Sequence, residues 1–268
     1  MKVLIKLGGT LLEDQAARDA IARQLACVAQ SHALTVVHGG GKQVTRYLEE
    51  RGAESRFVSG LRVSDERVIE AVTNVIAGGI NKQLVAALIA QGVAAVGISG
   101  VDGALTRAAQ LRPELGFVGR PQGTNAALLE LLISGKFVPV VACIAGDEQG
   151  TIYNVNADQM AVSCGLGWGA DTLIFLTDVA GVKDATGALM NDMTAEDATK
   201  LIESGVAHGG MQAKLEAAIN ALNSGVRQVT IASGREPDVC ERLMGGNAVG
   251  TRLSQSNATQ IDMQGVHA

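Results

Sequence analysis

A lysine interrupts the first apolar segment of the chain, where the neighbouring residues predict a buried strand. Residues 3–7 have the composition of that strand, and Lys6 lies within it, just before a glycine pair at residues 8–9. Burial of an ammonium group is costly unless the group meets an anion or a carboxylate. The position of Lys6 therefore favours a functional role, in which it binds a negatively charged group.

Two glycine loops follow predicted strands at positions typical of anion binding. The pair at residues 8–9 follows the first strand, and the run at residues 39–41 follows the second strand, residues 34–37. In an open α/β sheet, ligands bind at this carboxyl edge, where glycine lets backbone N–H groups approach an anion closely. Either loop alone is better explained by the positive φ angles of turns. Together with Lys6, the two loops indicate phosphate binding.

Two cationic side chains elsewhere have both a structural and a functional interpretation. Lys214 is predicted in the first turn of a helix that opens after Gly210, where a cation opposes the helix dipole. A lone lysine at such a position is more often a solvated surface residue. Arg62 is flanked by apolar residues, and it could bind a carboxylate ligand or form an internal ion pair. The sequence leaves these alternatives open.

Short polar side chains also cluster between an apolar strand region and an apolar helix. Asn154, Asn156 and Asp158 form this cluster, which on propensity alone is typical of a turn and a helix cap.

His38 precedes the second glycine loop and would attract a general-base assignment. We predict instead that it is packed or hydrogen-bonded, because an isolated histidine at the end of a strand is usually structural.

The composition of the chain argues against several classes of function. Its 268 residues are 47% hydrophobic, carry a formal net charge of -5 and include only 3% aromatic residues, so nucleic acid is an improbable partner. The apolar run at residues 137–146 is half of the about 20 residues that a membrane span needs, so no membrane partner is predicted. The amino-terminal segment is too interrupted for a signal peptide, and the cysteines lack CxxC spacing. We therefore expect a cytoplasmic protein with reduced thiols.

Predicted strands and helices alternate along the chain, a pattern typical of a mainly parallel sheet covered by helices. Further strands are predicted at residues 94–98, 137–143, 173–176 and 229–231, a hairpin region at 104–118, and helices at 14–31, 128–133, 157–164 and 211–222, with a long helix capped by Ser64. A boundary near residue 170 predicts an N-terminal lobe, residues 1–170, and a C-terminal lobe, residues 171–254. We expect residues 255–268 to be a disordered tail.

Six short motifs occur in a fixed order along the chain. They are Lys6-Leu7-Gly8-Gly9, His38-Gly39-Gly40-Gly41, Gly60-Leu61-Arg62-Val63, Asn154-Val155-Asn156-Ala157-Asp158-Gln159, Thr177-Asp178-Val179-Ala180-Gly181 and Gly210-Met211-Gln212-Ala213-Lys214. As an ordered set they resemble the amino acid kinase family. The resemblance implies an α/β fold, an open three-layer α/β/α sandwich with a mainly parallel central sheet, as in carbamate kinase. It also implies transfer of the γ-phosphoryl group of ATP to the side-chain carboxylate of N-acetyl-L-glutamate, a step of arginine biosynthesis.

The same resemblance implies roles for individual residues. Lys6 and Lys214 would stabilise the transferring phosphoryl group, and Asp158 would hold their ammonium groups in place. Gly9 and Gly40 would donate backbone N–H groups to phosphoryl oxygens. The acyl amino acid would be bound by Gly40, Gly41, Arg62, Asn154 and Asn156. The nucleotide would be bound by Thr177, Asp178, Val179, Gly181, Val182, Lys183, Val206, Ala207, His208 and Lys214.

Cofactor and assembly expectations follow from the resemblance as well. ATP would bind with Mg²⁺, which phosphates and water would hold, without a metal site built by the protein. We expect a homodimer with apolar interface surface from residues 64–91. Because the chain starts at the first strand, we also expect no arginine inhibition through the additional N-terminal helix of hexameric relatives.

Other functions remain as alternatives at this stage. A related kinase would act on an aminoadipate side chain attached to a carrier protein, although the net charge of -5 gives no support for a basic docking rim. Other members of the family act on aspartate, glutamate, carbamate or UMP. A non-catalytic sensor of nucleotide or amino acid would not need paired lysines at a phosphoryl site. A dinucleotide-dependent dehydrogenase is disfavoured because the GxGxxG turn is absent.

Overall fold

A computed structural model describes residues 1–255 of the chain. Its strands are β1 (Lys2–Leu7), β2 (Ala33–His38), β3 (Phe57–Val58), β4 (Leu61–Arg62), β5 (Ala95–Ser99), β6 (Thr106–Gln110), β7 (Val118–Thr124), β8 (Val138–Ala142), β9 (Ile144–Gly146), β10 (Ile152–Val155), β11 (Thr172–Thr177), β12 (Asp192–Thr194), β13 (Gln228–Ser233) and β14 (Thr251–Ser254). Its helices are α1 (Gln15–Ser31), α2 (Gly41–Glu49), α3 (Glu66–Val72), α4 (Asn81–Ala90), α5 (Ala127–Ser134), α6 (Ala157–Trp168), α7 (Ala195–Glu203), α8 (Gly209–Asn223) and α9 (Val239–Met244).

Eight strands form one central sheet in the order β12-β14-β13-β11-β1-β2-β8-β5. All of its strand pairs are parallel except β13 with β14, which confirms the predicted mainly parallel sheet. Strands β6, β7, β9 and β10 close into a second, smaller sheet, and β3 pairs with β4 as a hairpin. Strands β1 and β11 are neighbours, so the central sheet is continuous across residue 170.

Alternate residues of β1 enter two separate hydrophobic cores, one on each face of the sheet. Val3, Ile5 and Leu7 lie in the core that contains the buried residues of α1, α4 and α9. Leu4 lies in the other core, with the buried residues of α6 and α8. Because side chains alternate along a strand, Lys6 leaves β1 on the Leu4 side, toward α6. Each residue of β1 therefore contacts the helices on one face of the sheet only.

A continuous helix from Glu66 to Ala90 contains a π-helical segment, Thr73–Ile80, between α3 and α4. Six of its residues at four-residue spacing are buried: Val68, Val72, Ile76, Ile80, Leu84 and Leu88. A four-residue spacing advances about 40° per step around an α-helix of 3.6 residues per turn. The wider π-helical turn compensates for that drift, which keeps the buried stripe on one side.

The same 25-residue helix is, by length and composition, apolar enough to cross a membrane. The prediction that residues 137–146 are the longest apolar candidate is therefore wrong, because polar residues interrupt this longer helix without lowering its mean hydropathy enough. A single helix of this kind is weak support for a membrane span, because core helices of globular proteins pass the same test. Its most hydrophobic 18-residue window is 39% buried, which leaves apolar surface uncovered by the rest of the chain.

Most predicted elements are present, and two predicted helix starts are wrong. Asp65, not Ser64, caps α3, because its side chain accepts a hydrogen bond from Val68 N, while Ser64 forms a β-bridge with Gly116. Helix α8 begins at Gly209, so Lys214 lies in its second turn and not its first. Strands β12 and β14 and helices α7 and α9 were not predicted. The predicted tail at residues 255–268 lies, apart from Gln255, outside the described residues.

Candidate active site

Three charged side chains from distant parts of the chain meet at the carboxyl edge of β1. Lys6 Nζ lies 2.7 Å from Asp158 Oδ1, and Lys214 Nζ lies 3.4 Å from Asp158 Oδ2. Asp158 is in the first turn of α6, directly above the face of β1 on which Lys6 projects. One carboxylate therefore binds both ammonium groups, each through its own oxygen.

Asp158 is ionised in this arrangement. Burial alone would raise the pKa of its carboxyl group, but the Lys6 and Lys214 ammonium groups outweigh burial and hold that pKa below its ordinary value. Two ammonium groups and one carboxylate leave a net charge of about +1 in this buried cluster. Such a cluster is suited to a negatively charged ligand beside it.

The two glycine loops approach each other next to this cluster. A Cβ on Gly9 would lie 3.5 Å from Gly40 Cα and 3.7 Å from Gly40 N, in ordinary van der Waals contact, so the two loops are direct neighbours. Gln43, buried in the first turn of α2, donates from Nε2 to Gly9 O at 3.0 Å. At the other loop, Ile76 and Ile80 of the long helix pack against Gly40. The predicted pair of glycine loops thus forms one surface.

A cavity of about 220 Å³ opens beside the glycine loops and ends at a buried guanidinium. Arg62 Nη2 donates to Gly41 O and to Thr45 Oγ1, both at 2.7 Å, and Nη1 donates to Ser55 Oγ. Burial lowers the pKa of Arg62, and Phe57 covers its guanidinium at 4.7 Å from the ring centroid. Within residues 1–255 no carboxylate forms an ion pair with Arg62. Of the two sequence interpretations, an internal ion pair is therefore wrong.

The polar side chains around residue 155 have different functions in the structure. Asn154 Nδ2 donates to Ser64 Oγ at 3.1 Å, and Ser64 Oγ donates to the carbonyl of Arg62 at 2.9 Å. Asn156 caps α6, because its Oδ1 accepts from Asp158 N at 2.8 Å and from Gln159 N at 3.2 Å. Both residues line the cavity. The cap interpretation therefore holds for Asn156, whose side-chain oxygen is occupied.

The predicted nucleotide residues lie at the carboxyl edge of β11 and at the start of α8. Gly8 N donates to Leu176 O and Gly234 N donates to Thr177 O, both at 2.8 Å, which joins this edge to the first glycine loop. Val182 and Ala207 are core residues, so only their backbones are available to a ligand. The remaining predicted nucleotide residues, apart from the buried Thr177, have solvent-accessible side chains: Asp178, Val179, Lys183, Val206 and His208. Gly181 packs on Thr251, whose Oγ1 accepts from Val182 N.

The chain is similar to known proteins over most of its length. Residues 1–233 match the amino acid kinase family. The chain belongs to that family. An acetylglutamate kinase from Solibacter usitatus is 55% identical over 254 residues, which cover 94% of this chain and 99% of that protein.

Solved structures of other amino acid kinase folds superpose on most of the chain. N-acetylglutamate synthase from Neisseria gonorrhoeae, in complex with coenzyme A and N-acetyl-glutamate, gives a TM-score of 0.83 at 23% identity. The match covers 95% of this chain and 60% of the synthase chain, so this chain spans about three fifths of the synthase. Carbamate kinase from Giardia lamblia gives a TM-score of 0.71 at 15% identity over 94% of this chain and 97% of that chain. These likenesses confirm the predicted carbamate kinase-like fold.

Several residues of this amino acid kinase site were not singled out in the sequence. Gln43 binds the first glycine loop, Thr45 and Ser55 bind Arg62, and Ser64 links Arg62 to Asn154. A polar residue two positions after a glycine run was the only signal for Gln43. The other three are short polar side chains on separate segments, and no spacing rule connects them.

Among residues 1–255, no group of three or more His, Cys, Asp or Glu side chains is arranged to hold a metal ion. Asp158 lies at the centre of the site, and both of its oxygens face ammonium groups. Cys143 also lines the cavity, but burial raises the pKa of its thiol to about 12. It is therefore a neutral thiol and not a nucleophile.

Proposed function

We propose that this protein transfers the γ-phosphoryl group of ATP to the side-chain carboxylate of N-acetyl-L-glutamate, which gives N-acetyl-L-glutamyl 5-phosphate in arginine biosynthesis. The observation that carries the proposal is the buried Lys6–Asp158–Lys214 cluster beside a cavity that ends at the Arg62 guanidinium. The likeness to acetylglutamate kinases over 94% of the chain supports the choice of substrate.

The chemistry of the acceptor explains why the site needs no general base. A side-chain carboxylate has a reference pKa of about 4.3, so it is already an ionised nucleophile at neutral pH. The energetic difficulty is to bring this anion to a polyanionic phosphate and to hold the two in line. Cations and preorganised N–H donors meet that requirement, and the site contains both.

We assign the charge-stabilising roles to the residues that meet at the edge of β1. Lys6 and Lys214 would bind oxygens of the transferring phosphoryl group, with Asp158 fixing the positions of both ammonium groups. Gly9 and Gly40 would donate backbone N–H groups to phosphoryl oxygens. The contacts of Lys6 and Lys214 with Asp158 support this assignment, since ammonium groups held in this way would need little reorganisation during the reaction.

The acyl amino acid would occupy the cavity between the glycine loops and Arg62. The guanidinium of Arg62 would bind the α-carboxylate, and Asn154 would bind the acetamido group. The backbone at Gly40 and Gly41 would contact the substrate from the other side. Since the side-chain oxygen of Asn156 caps α6, Asn156 would contact substrate only through its remaining polar atoms.

ATP would bind along the edge of β11 and the start of α8. Its adenosine and phosphates would meet residues of the segments 177–183 and 206–208, with Lys214 beside the γ-phosphate. Both oxygens of Asp158 face ammonium groups, so Mg²⁺ would enter with the nucleotide and keep phosphate and water ligands. Bound in this way, Mg²⁺ would neutralise phosphate charge.

We also propose a homodimer in the cytoplasm. The helix from Glu66 to Ala90 leaves apolar surface uncovered, with Ile89 57% exposed. Burial of that surface against a second copy would stabilise the assembly. Sedimentation equilibrium tests this assembly: we expect twice the chain mass of 27.6 kDa, and a concentration-independent monomer would contradict it.

The lobes proposed from the sequence, residues 1–170 and 171–254, would bind the acyl amino acid and ATP, respectively.

A hydroxylamine-trapping assay of the acyl phosphate tests the proposed reaction. With ATP and Mg²⁺, we expect hydroxamate from N-acetyl-L-glutamate and none from glutamate, aspartate or carrier-linked aminoadipate. Lys6→Ala should lower kcat about 100-fold or more, as loss of a charge-stabilising group does, whereas the exposed Lys200→Ala should not. Product only from carrier-linked aminoadipate would show that this compound, and not N-acetyl-L-glutamate, is the acceptor. No product from any acceptor would favour a non-catalytic sensor of nucleotide or amino acid.

A further inference from the structure

A buried histidine lies directly against the second glycine loop and takes no part in the reaction proposed above. His38 is the last residue of β2, it is fully buried, and its ring contacts groups on both sides. Nδ1 lies 3.0 Å from the carbonyl oxygen of Gly39, and Nε2 lies 3.0 Å from Asn81 Nδ2. Which nitrogen carries the proton depends on how the Asn81 amide is oriented.

The groups around Asn81 determine that orientation. Lys82 Nζ lies 3.1 Å from one side-chain atom of Asn81, and an ammonium group can only donate, so that atom is the oxygen. The carbonyl oxygen of Val140 lies 2.9 Å from the other atom, and a carbonyl can only accept, so that atom is the nitrogen. Asn81 therefore donates from Nδ2 to His38 Nε2.

The tautomer of His38 follows from this donation. Since Nε2 accepts a hydrogen bond, it carries no proton, and the imidazole proton is on Nδ1. Nδ1–H then donates to the Gly39 carbonyl. Burial, and to a lesser extent the Lys82 charge, outweighs this hydrogen bond and lowers the pKa of His38 to about 4, so the ring stays neutral at physiological pH.

A hydrogen bond to the Gly39 carbonyl also fixes the next N–H group. The C=O of Gly39 and the N–H of Gly40 belong to one planar peptide unit, and none of the described peptide bonds is cis. In a trans peptide the two bonds point in opposite directions. When His38 holds the Gly39 carbonyl on the α4 side of the sheet, the Gly40 N–H points away from it, toward the cavity that residues 39–41 line.

We propose that His38 and Asn81 are positioning residues for phosphoryl transfer: they form a neutral hydrogen-bonded relay that directs the Gly40 N–H at the phosphoryl group. The relay explains a polar pair inside an otherwise apolar core, at the junction between the π-helical segment and α4. Glycines at residues 39–41 leave the peptide free to rotate, so an external group has to hold it. The relay supplies that constraint without introducing a charge.

Two nearly isosteric substitutions at His38 separate the relay from general packing. Asparagine places its amide nitrogen where Nδ1 lies and can still donate to Gly39, whereas glutamine places its amide at the Nε2 position and cannot. We expect His38→Gln to lower kcat about 10- to 100-fold, with KM for ATP and N-acetyl-L-glutamate changed less than about threefold. His38→Asn should recover most of that loss. His32 lies directly before the first residue of β2, far from the glycine loop at its other end. His32→Gln is therefore the matched control and should retain the wild-type kcat.

The nitrogen resonances of ¹⁵N-histidine-labelled protein test the tautomer without any substrate. We expect His38 to have a protonated Nδ1 and an unprotonated Nε2 from pH 8 to pH 5. The resonances of His38 are assigned by their absence from the spectrum of His38→Asn. A protonated Nε2, or equal kcat losses in His38→Gln and His38→Asn, would overturn the relay. This inference rests on the proposed kinase reaction, but the resonances are independent of it: an inactive wild-type protein with the expected tautomer would refute the reaction and leave the relay intact.

Discussion

Lys6 and His38 leave neighbouring strands on opposite faces of the same sheet. The register of β1 and β2 pairs Lys6 with Val37 and Leu7 with His38, so the two side chains are one position apart and point in opposite directions. Lys6 meets Asp158 of α6 on one face, and His38 meets Asn81 of α4 on the other. The proposed phosphoryl site is thus supported from both helical layers.

Replacement of Asp158 should damage both turnover and stability. Asp158→Asn removes the charge that holds Lys6 and Lys214, and we expect kcat to fall about 100-fold or more. Because the folded-state pKa of Asp158 is lowered, its stabilisation is complete above the unfolded value of 3.8 and is lost as pH falls through the lower folded value. Urea denaturation of wild type and variant from pH 6 to pH 3 should show their difference in unfolding free energy narrowing below about pH 4. A pH-independent difference would contradict the assignment.

Arg62→Lys should weaken binding of the acyl amino acid more than it slows turnover. A lysine retains the charge but cannot reproduce the planar fork that contacts Gly41 and Thr45 and faces the cavity. We expect KM for N-acetyl-L-glutamate to rise about 10- to 100-fold, with kcat and KM for ATP changed much less. Steady-state kinetics measures this, with the exposed Arg56→Lys as the control. A rise confined to KM for ATP would contradict the assignment of Arg62 to the binding site of the acyl amino acid.

His38 should make the protein less stable in mild acid. The unfolded chain binds a proton at a pKa of 6.5, whereas folded His38 stays neutral down to about 4. Stability is therefore complete above pH 6.5 and falls progressively toward pH 4, by about 3 kcal/mol from this group alone. Urea denaturation at pH 7 and pH 4.5 measures the loss in free energy of unfolding. His38→Asn should lose less over the same interval, and an equal loss would show that other groups cause the acid sensitivity.

A methyl group at Gly97 should disturb Asn81 from the strand side. A Cβ there would overlap Asn81 Oδ1 and lie 2.7 Å from Lys82 Nζ. We expect Gly97→Ala to lower the free energy of unfolding by about 1–3 kcal/mol and to lower kcat in the same direction as His38→Gln. Gly165→Ala is the matched control, because its Cβ would make ordinary contacts with Leu4 and Ala170 in the middle of α6. Thermal denaturation should show the control unchanged or stabilised.

The sequence predicted the central elements well because their signals are local. Apolar strand residues, glycine loops and helical periodicity identified β1, β2, β8, β11 and β13 with small errors at their ends. The short strands of the smaller sheet have five residues or fewer in three of four cases, and their pairing depends on contacts between distant segments. Only a hairpin region was predicted there. The Ser64 cap was wrong because two adjacent residues can both cap, and a tertiary bridge to Gly116 decided between them.

The candidate site was only partly predictable for the same reason. A buried lysine in a strand indicated an anionic partner, and alternation from Leu4 could have indicated which face Lys6 takes. Its pairing with Asp158 and Lys214 depends on how α6 and α8 pack, which the resemblance supplied and periodicity did not. Asn81 had no local signal, since Lys82 and Gln83 follow it and the three together are typical of a solvated stretch of a helix. Its importance is visible only when His38 is placed beside it.

The ladder between β1 and β11 has a mechanical consequence. Its register runs from Val3 with Thr172 to Leu7 with Leu176, so the two proposed lobes share a sheet instead of meeting through a flexible linker. A parallel ladder resists shear and separation, but adjacent strands can change their twist. If the two proposed lobes bind acceptor and ATP, a movement that brings these substrates together would change the twist between β1 and β11, because no flexible linker separates the two strands.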